Sequence, residues 1–214
     1  MNKKVVVFGC GGFGREVMWV LEENIENGDN WEILGFIDDR AELTGQVINN
    51  YKVLGTTDWL IEYKEEINVI IGVGSSQKRK KIINILKSNS LICFPTLISK
   101  SANISKYTTI GEGCIICSGT IVTVNAILKN FVIVNLDCTI GHDALLCDYV
   151  TLYPSVNISG SVKVDELTEI GTGTQIIQGV NIGSNSIIGA GAVVIRDIPK
   201  DITAVGNPAR FLTK

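Results

Sequence analysis

Residues 98–122 read ISKSANISKYTTIGEGCIICSGTIV, a stretch in which Ile98, Ile104, Ile110, Ile116 and Val122 recur at every sixth position. The step continues without insertion through Leu128, Val134, Ile140, Leu146, Leu152, Ile158, Val164, Ile170, Ile176, Ile182 and Ile188 to Val194. All 17 positions are Ile, Leu or Val. Four residues after each comes a side chain no larger than valine, Ile198 alone excepted. A six-residue unit cannot bury its own apolar face, but a chain that turns after each unit makes triangular coils whose large and small positions stack inward. The pattern predicts a parallel β-helix. Cys114 and Cys138 occupy small inward positions and read as core hydrophobes. Glycines follow the aliphatic residue (Gly111, Gly141, Gly171) or stand three after it (Gly113, Gly119, Gly173), where tight turns need positive φ.

Working back from the repeat, the pattern changes near residue 95. Lys4–Phe8, Glu32–Ile37 and Val69–Val73 read as strands, Phe13–Glu23 and Lys78–Leu86 as helices, and Leu91–Phe94 closes the series. Residues 1–95 are thus expected to form a small Rossmann-like parallel α/β domain, and residues 96–214 a β-helix domain with a C-terminal capping loop. The fold class is α/β + β.

Composition narrows the function. Of 214 residues, 45% are hydrophobic and 19% charged, too apolar for a disordered chain. Lys+Arg 19 against Asp+Glu 22 leaves a net charge of −3, with no positive field to draw the chain onto nucleic acid or anionic lipid. The start MNKKVVVFGCGGFG imitates a signal peptide, yet its apolar run breaks at Gly9 and no small-residue cleavage site follows. No stretch reaches the roughly 18 apolar residues of a membrane helix. The six cysteines form no zinc-ligand pattern, and no metal is expected. A cytoplasmic protein with reduced thiols, without membrane insertion, is the simplest account.

His142 is the only histidine and lies in Ile140-Gly141-His142-Asp143. With Ile140 and Ala144 inward, His142 and Asp143 fall at a corner and point outward. Two readings stand: a solvated His-Asp corner, or a general base oriented by its carboxylate neighbour. One coil on, 142 + 18 is Gly160, which sets no side chain beside the imidazole. Gly9, Gly11 and Gly14 fit G-x-G-x-x-G between a strand and a helix, with Asp38 and Asp39 ending the next strand. Alone this points to NAD, but 95 residues do not hold two mononucleotide-binding halves. Gly72-Val73-Gly74-Ser75 forms another edge of that crevice or a plain turn with Ser75 or Ser76 as helix cap, and Lys78-Arg79-Lys80-Lys81 reads as a solvated helix face.

The six-residue repeat resembles the left-handed parallel β-helix of the hexapeptide acyltransferases. Joined to the N-terminal glycine segment, the mid-repeat Gly141-His142-Asp143 and the terminal Val205-Gly206-Asn207-Pro208-Ala209-Arg210, it resembles the PglD/NeuD-type sugar acetyltransferases across essentially the whole chain. The resemblance implies acetyl-CoA as co-substrate and a nucleotide-linked amino sugar, most simply a 4-amino-sugar, as acceptor. It implies catalytic roles for His142, Asp143 and Asn135. Gly9, Gly11, Gly12, Phe13, Gly14, Asp38, Asp39 and Gly72 are then sugar-nucleotide contacts, and Thr151, Gly160, Ala190, Pro208 and Arg210 cofactor contacts. Arg196, Lys200, Arg210 and Lys214 bias the C-terminal end toward the phosphates of the coenzyme. Phe13 and Thr151 stand where many relatives carry histidine. Cys117 and Cys147 lack a second histidine to activate them, so direct transfer is expected over a cysteine relay. The motifs are shared by O-acetyltransferases of sialic-acid-type sugars, and a non-catalytic nucleotide-sugar binding protein would retain most of them. Outward Ile115, Ile121, Ile127, Ile133, Leu145 and Ile187 point to a homotrimer with sites between subunits.

Overall fold

The computed structural model describes residues 3–212. The chain divides into two compact units, Met1–Lys100 and Ser101–Lys214. The boundary falls at residue 100 because the first repeat is tied back into the N-terminal unit: Asn24 Nδ2 donates to the Ile98 carbonyl at 2.8 Å, and Lys100 pairs with Asp29 at 2.5 Å.

The N-terminal unit is built from β1 (Lys3–Phe8), α1 (Gly12–Glu26), β2 (Trp31–Ile37), β3 (Val47–Ile48), β4 (Tyr51–Gly55), α2 (Thr57–Glu62), β5 (Ile67–Ile71), α3 (Ser76–Leu86) and β6 (Ile92–Cys93). Its sheet order is β3-β4-β2-β1-β5-β6, parallel throughout except for the β3–β4 hairpin. Val5, Val6 and Val7 of the central strand are wholly buried, as a strand covered on both faces requires. Register pairs Phe8 with both Ile37 and Ile71, so Gly9, Asp38 and Gly72 leave the sheet side by side. The strand-end crevice therefore assembles where the sequence places it.

Three features depart from the sequence reading. The β3–β4 hairpin and α2 were not expected; the hairpin turns on Asn49-Asn50, both at positive φ (46° and 69°), the two-residue turn that matches strand twist. The third strand ends at Ile71, two residues early. Arg79, read as part of a solvated basic face, is 1% exposed. Its Nη1 donates to the Val73 and Gly74 carbonyls, both at 2.9 Å, which pins the loop that follows β5. The buried guanidinium there is bonded to two backbone carbonyls. Ser75 sits at the α3 N-cap, but its side chain makes no capping bond.

The second unit winds as the sequence periodicity demands, and its fold is a left-handed parallel β-helix. Up to Val194 each side of the triangle is a two-residue strand and the ladders pair residues 18 apart, as in Thr139↔Asn157 and Ile140↔Ile158; the last coil is shorter, pairing Ile187 with Thr203 at a spacing of 16. Large and small inward positions alternate in the core, with Ile140, Val150, Leu152 and Val162 fully buried. Cys114 and Cys138 are buried there too, and burial pushes the Cys138 thiol up to about 11. From residue 113 to residue 191 the third residue after each aliphatic position is left-handed whatever its side chain, Phe131 (57°) and Tyr149 (63°) included. These two rings stack at 5.3 Å, which offsets backbone strain at bulky αL residues. Glycines directly after the aliphatic residue serve another purpose: a Cβ on Gly141 would meet the Gly160 nitrogen of the next coil at 2.6 Å.

The outward apolar set is smaller than expected. Ile121, Ile127 and Ile187 are 44–51% exposed, but Ile115 and Ile133 are buried within the chain itself. Lys214 lies outside the described residues.

Arg79→Met keeps the bulk of the side chain while removing a charged donor from two carbonyls, and is expected to cost about 3 kcal/mol. Urea unfolding followed by far-UV circular dichroism checks this.

Candidate active site

The β-helix positions one polar constellation at the corner after the strand Thr139–Ile140. His142 and Asp143 both project outward, about half exposed, and His142 Nδ1 lies 2.8 Å from Asp143 Oδ2. Asp143 is at φ 60°, which turns its carboxylate back along the corner toward the ring. Asn125, one coil below, donates from Nδ2 to Asp143 Oδ1 at 3.2 Å. The bond to His142, then that from Asn125, holds the Asp143 carboxyl below the usual carboxylate range. An ionised carboxylate only accepts, so Nδ1 is the nitrogen that donates to Asp143, and Nε2 is the nitrogen left to face a ligand. Asn125 was absent from the sequence reading, although 125 + 18 = 143 is a signal that the coil spacing makes available.

One coil above stands Gly160. A Cβ built there would lie 2.4 Å from His142 Nε2 and 2.5 Å from Cε1, so only glycine leaves the ring in place. The Gly160 N–H donates to no group of the described residues, whereas its carbonyl accepts from Gly179. An imidazole nitrogen thus lies against the bare Cα of a residue whose backbone N–H is uncommitted.

The remaining expected residues are dispersed. Asn135 follows the strand Ile133–Val134, one corner before His142, and is 7% exposed. Its Oδ1 accepts the Leu136 N–H at 2.7 Å, which leaves the amide nitrogen turned outward without a partner among the described residues. Thr151 is buried beside Ile133 and Glu169 in its ladder, so its hydroxyl does not stand on an open surface of the single chain. Ala190 is exposed at the corner after Ile187–Ile188. Pro208 and Arg210 belong to a closing loop in which Thr203–Val205 pairs antiparallel with Arg210–Phe211, and Ala209 N–H donates to the Val193 carbonyl at 2.8 Å. Arg196, Ala209, Arg210 and Phe211 line a cavity of about 120 Å³.

In the N-terminal crevice the glycines divide by role. Gly9 is at φ +94°, and a Cβ on Gly14 would come within 1.8 Å of the Gly9 carbonyl oxygen, so these two close the strand–helix turn. Gly72 packs on Gly14. Gly11 and Gly12 face open space at the start of α1, beside a half-buried Phe13, and it is here that a ligand can approach backbone. Asp39 is spent on structure: its Oδ1 accepts the Thr57 N–H at 2.8 Å and the Thr57 hydroxyl at 2.7 Å, capping α2. Asp38 is buried and engaged by Cys10 and by Arg40, which the sequence reading did not single out. Among the described residues no cluster of His, Cys, Asp or Glu is arranged to hold a metal ion, and no helix is long and apolar enough to cross a membrane.

Residues 4–86 match the PglD N-terminal domain family. The GDP-perosamine N-acetyltransferase of Escherichia coli O157:H7 is 33% identical over 218 residues, covering 97% of this chain and 96% of that protein. The chain belongs to the PglD-type sugar acetyltransferases. It is an acyltransferase. The acetyltransferase domain of PglB from Neisseria gonorrhoeae FA1090, solved with acetyl coenzyme A, superposes at TM-score 0.88 with 35% identity over 99% of this chain and all of that one. PerB from Caulobacter crescentus, solved with CoA and GDP-perosamine, gives TM-score 0.88 at 26% identity over 100% of this chain and 99% of that one.

Since the ring of His142 rests over Gly160, Gly160→Ala should push it aside. Acetyl transfer is expected to fall at least about tenfold, with a melting temperature close to wild type, because the atoms nearest a Cβ on the buried Gly160 belong to the exposed, movable ring of His142. Coenzyme A release and a thermal melt on the same preparation check both halves.

Proposed function

We propose that this chain transfers the acetyl group of acetyl-CoA to the 4-amino group of a nucleotide-linked sugar, with His142 as general base. The observation that carries the reading is the His142–Asp143 pair whose Nε2 faces the bare Cα of Gly160. The relatives that are similar over the full chain include N-acetyltransferases named for GDP-perosamine and one solved with acetyl coenzyme A, which supports this donor and this class of acceptor.

Asp143, held ionised, keeps the imidazole proton on Nδ1. As the sugar amine attacks the thioester carbonyl carbon, Nε2 takes the proton that the nitrogen sheds. Charge develops on the carbonyl oxygen, and the free Gly160 N–H is the donor available to it. Collapse of the tetrahedral intermediate breaks the C–S bond, and His142 returns its proton to the departing thiolate. Products are the N-acetylated sugar and CoA with a free thiol. Arg196 and Arg210 beside Phe211 suit the phosphates of the coenzyme, and the crevice at Gly11 and Gly12 suits the nucleotide moiety.

A homotrimer belongs to the same proposal. Ile121, Ile127 and Ile187 need cover, and the outward amide of Asn135 sits on a different corner from His142, so both serve one site only when a neighbouring chain brings them together. Light scattering at micromolar concentration should return a mass three times that of the chain.

His142→Ala should lower turnover by roughly 10²-fold or more while acetyl-CoA affinity and melting temperature stay near wild type. Asp143→Asn should lose less and move the acid limb of the pH profile. In the wild type Asp143 itself does not set that limb: its pKa lies below the usual carboxylate range, so the carboxylate that accepts from His142 stays ionised as pH falls through that range and is protonated only at lower pH. Thiol release across nucleotide-linked 4-amino-sugars and sialic acids tests the acceptor, GDP-perosamine first. Release stimulated by sialic acid alone would turn the reading toward O-acetylation, and no stimulation by any acceptor would turn it toward a binding protein.

A further inference from the structure

The N-terminal crevice carries a device that its fold does not require. In strand-end crevices of this type the acid after β2 ordinarily turns its carboxylate to a ligand hydroxyl. Here Asp38 has no acceptor capacity to spare. Oδ2 accepts the Cys10 N–H at 3.0 Å, the Cys10 thiol at 3.2 Å and Arg40 Nη2 at 2.8 Å. Oδ1 accepts the Arg40 N–H at 3.1 Å and Arg40 Nε at 2.8 Å. The residue is 7% exposed, and its carboxyl is held far below its ordinary range, first by Arg40. Burial and the Asp38 bond push the Cys10 thiol up to about 11, which leaves it a neutral donor.

The group the crevice does present is Arg40, with a side chain 55% exposed. Its Nε and Nη2 are taken by Asp38, and Nη2 also lies 3.6 Å from Cys10 Sγ. The two N–H groups of Nη1 have no partner among the described residues. The fork geometry fixes their direction, because a guanidinium bound side-on by a carboxylate cannot rotate.

We propose that Arg40 reads the base of the nucleotide sugar, and that it selects guanine, whose O6 and N7 set two acceptors on one edge. This rests on the nucleotide-sugar reading above. Two physical points favour a base edge over a phosphate. Pairing with Asp38 cancels the net charge of Arg40, so what remains is direction rather than attraction for an anion. A donor-only edge also discriminates by mismatch: adenine sets an amino group beside its N7, and uracil or thymine a single O4 acceptor flanked by N–H or carbon. A site built on such a bond rejects bases that leave it unmade.

Calorimetric titration of the full chain with GDP, UDP, dTDP and ADP tests this without turnover. The wild type should bind GDP at least tenfold tighter than each of the others. Arg40→Gln should weaken GDP at least tenfold and change UDP by no more than twofold, while acetyl-CoA affinity is unchanged. Arg40→Lys keeps a cation beside Asp38 but loses the fork, and should show the same GDP-only loss in reduced measure; it decides the matter if Arg40→Gln fails to fold. Equal losses for GDP and UDP would mean that Arg40 holds phosphate and would overturn the proposal, as would a wild type that prefers UDP or shows no preference. Failure of every nucleotide amino sugar to release CoA would instead sink the acetyltransfer reading, and the two failures are separately visible.

Discussion

Everything in the C-terminal unit depends on one constraint, the hydrogen-bonded ladder between residues 18 apart. Because Ile140 must pair with Ile158 and Thr139 with Asn157, whatever follows each strand is stacked on whatever follows its partner. His142 is consequently placed over Gly160 by backbone bonding, without any side chain being needed to hold it there. The same rule puts Asn125 under Asp143 and turns an exposed corner into a three-layer polar stack. A solvent-facing pair would ordinarily sample many rotamers. Here the left-handed corner and the coil below narrow them, which is how a site with little burial remains organised.

The N-terminal unit achieves order by a different route, through close backbone approach and saturated polar groups. Gly9, Gly14 and Gly72 bring strand and helix together at distances no side chain permits. Arg79 then ties down the loop beyond β5, and Asp39 caps α2. Buried ionisable groups are costly unless fully bonded. Arg79 and Asp38 meet that condition with partners drawn from neighbouring loops, so the rim of the crevice is rigid where a ligand would meet it. The residues left uncommitted, Gly11, Gly12 and the outer edge of Arg40, are the ones able to respond to chemistry from outside.

The division between framework and contact was partly visible in the linear pattern. Invariant spacing made the β-helix legible, since a fixed period over 17 repeats has one packing solution. It also made His142 and Gly160 neighbours by arithmetic. Short elements were harder: a two-residue strand such as Val47–Ile48 has no periodicity, and only the paired left-handed asparagines betray its turn.

Thus the sequence by itself determined the two architectures, the stacking of His142 on Gly160 and the outward direction of the His-Asp corner, because each follows from a local repeat propagated along the chain. Tertiary structure alone decided which charged residues are occupied. That Arg79 is buried inside a run of lysines, that Asp39 is a cap, that Thr151 is covered and that Asp38 is saturated by Cys10 and Arg40 all depend on contacts between segments brought together by the sheet. Hydrogen bonds between such segments carry no periodic signature, so a carboxylate that reads as a ligand contact in one dimension becomes, in three, the brace for the arginine beside it.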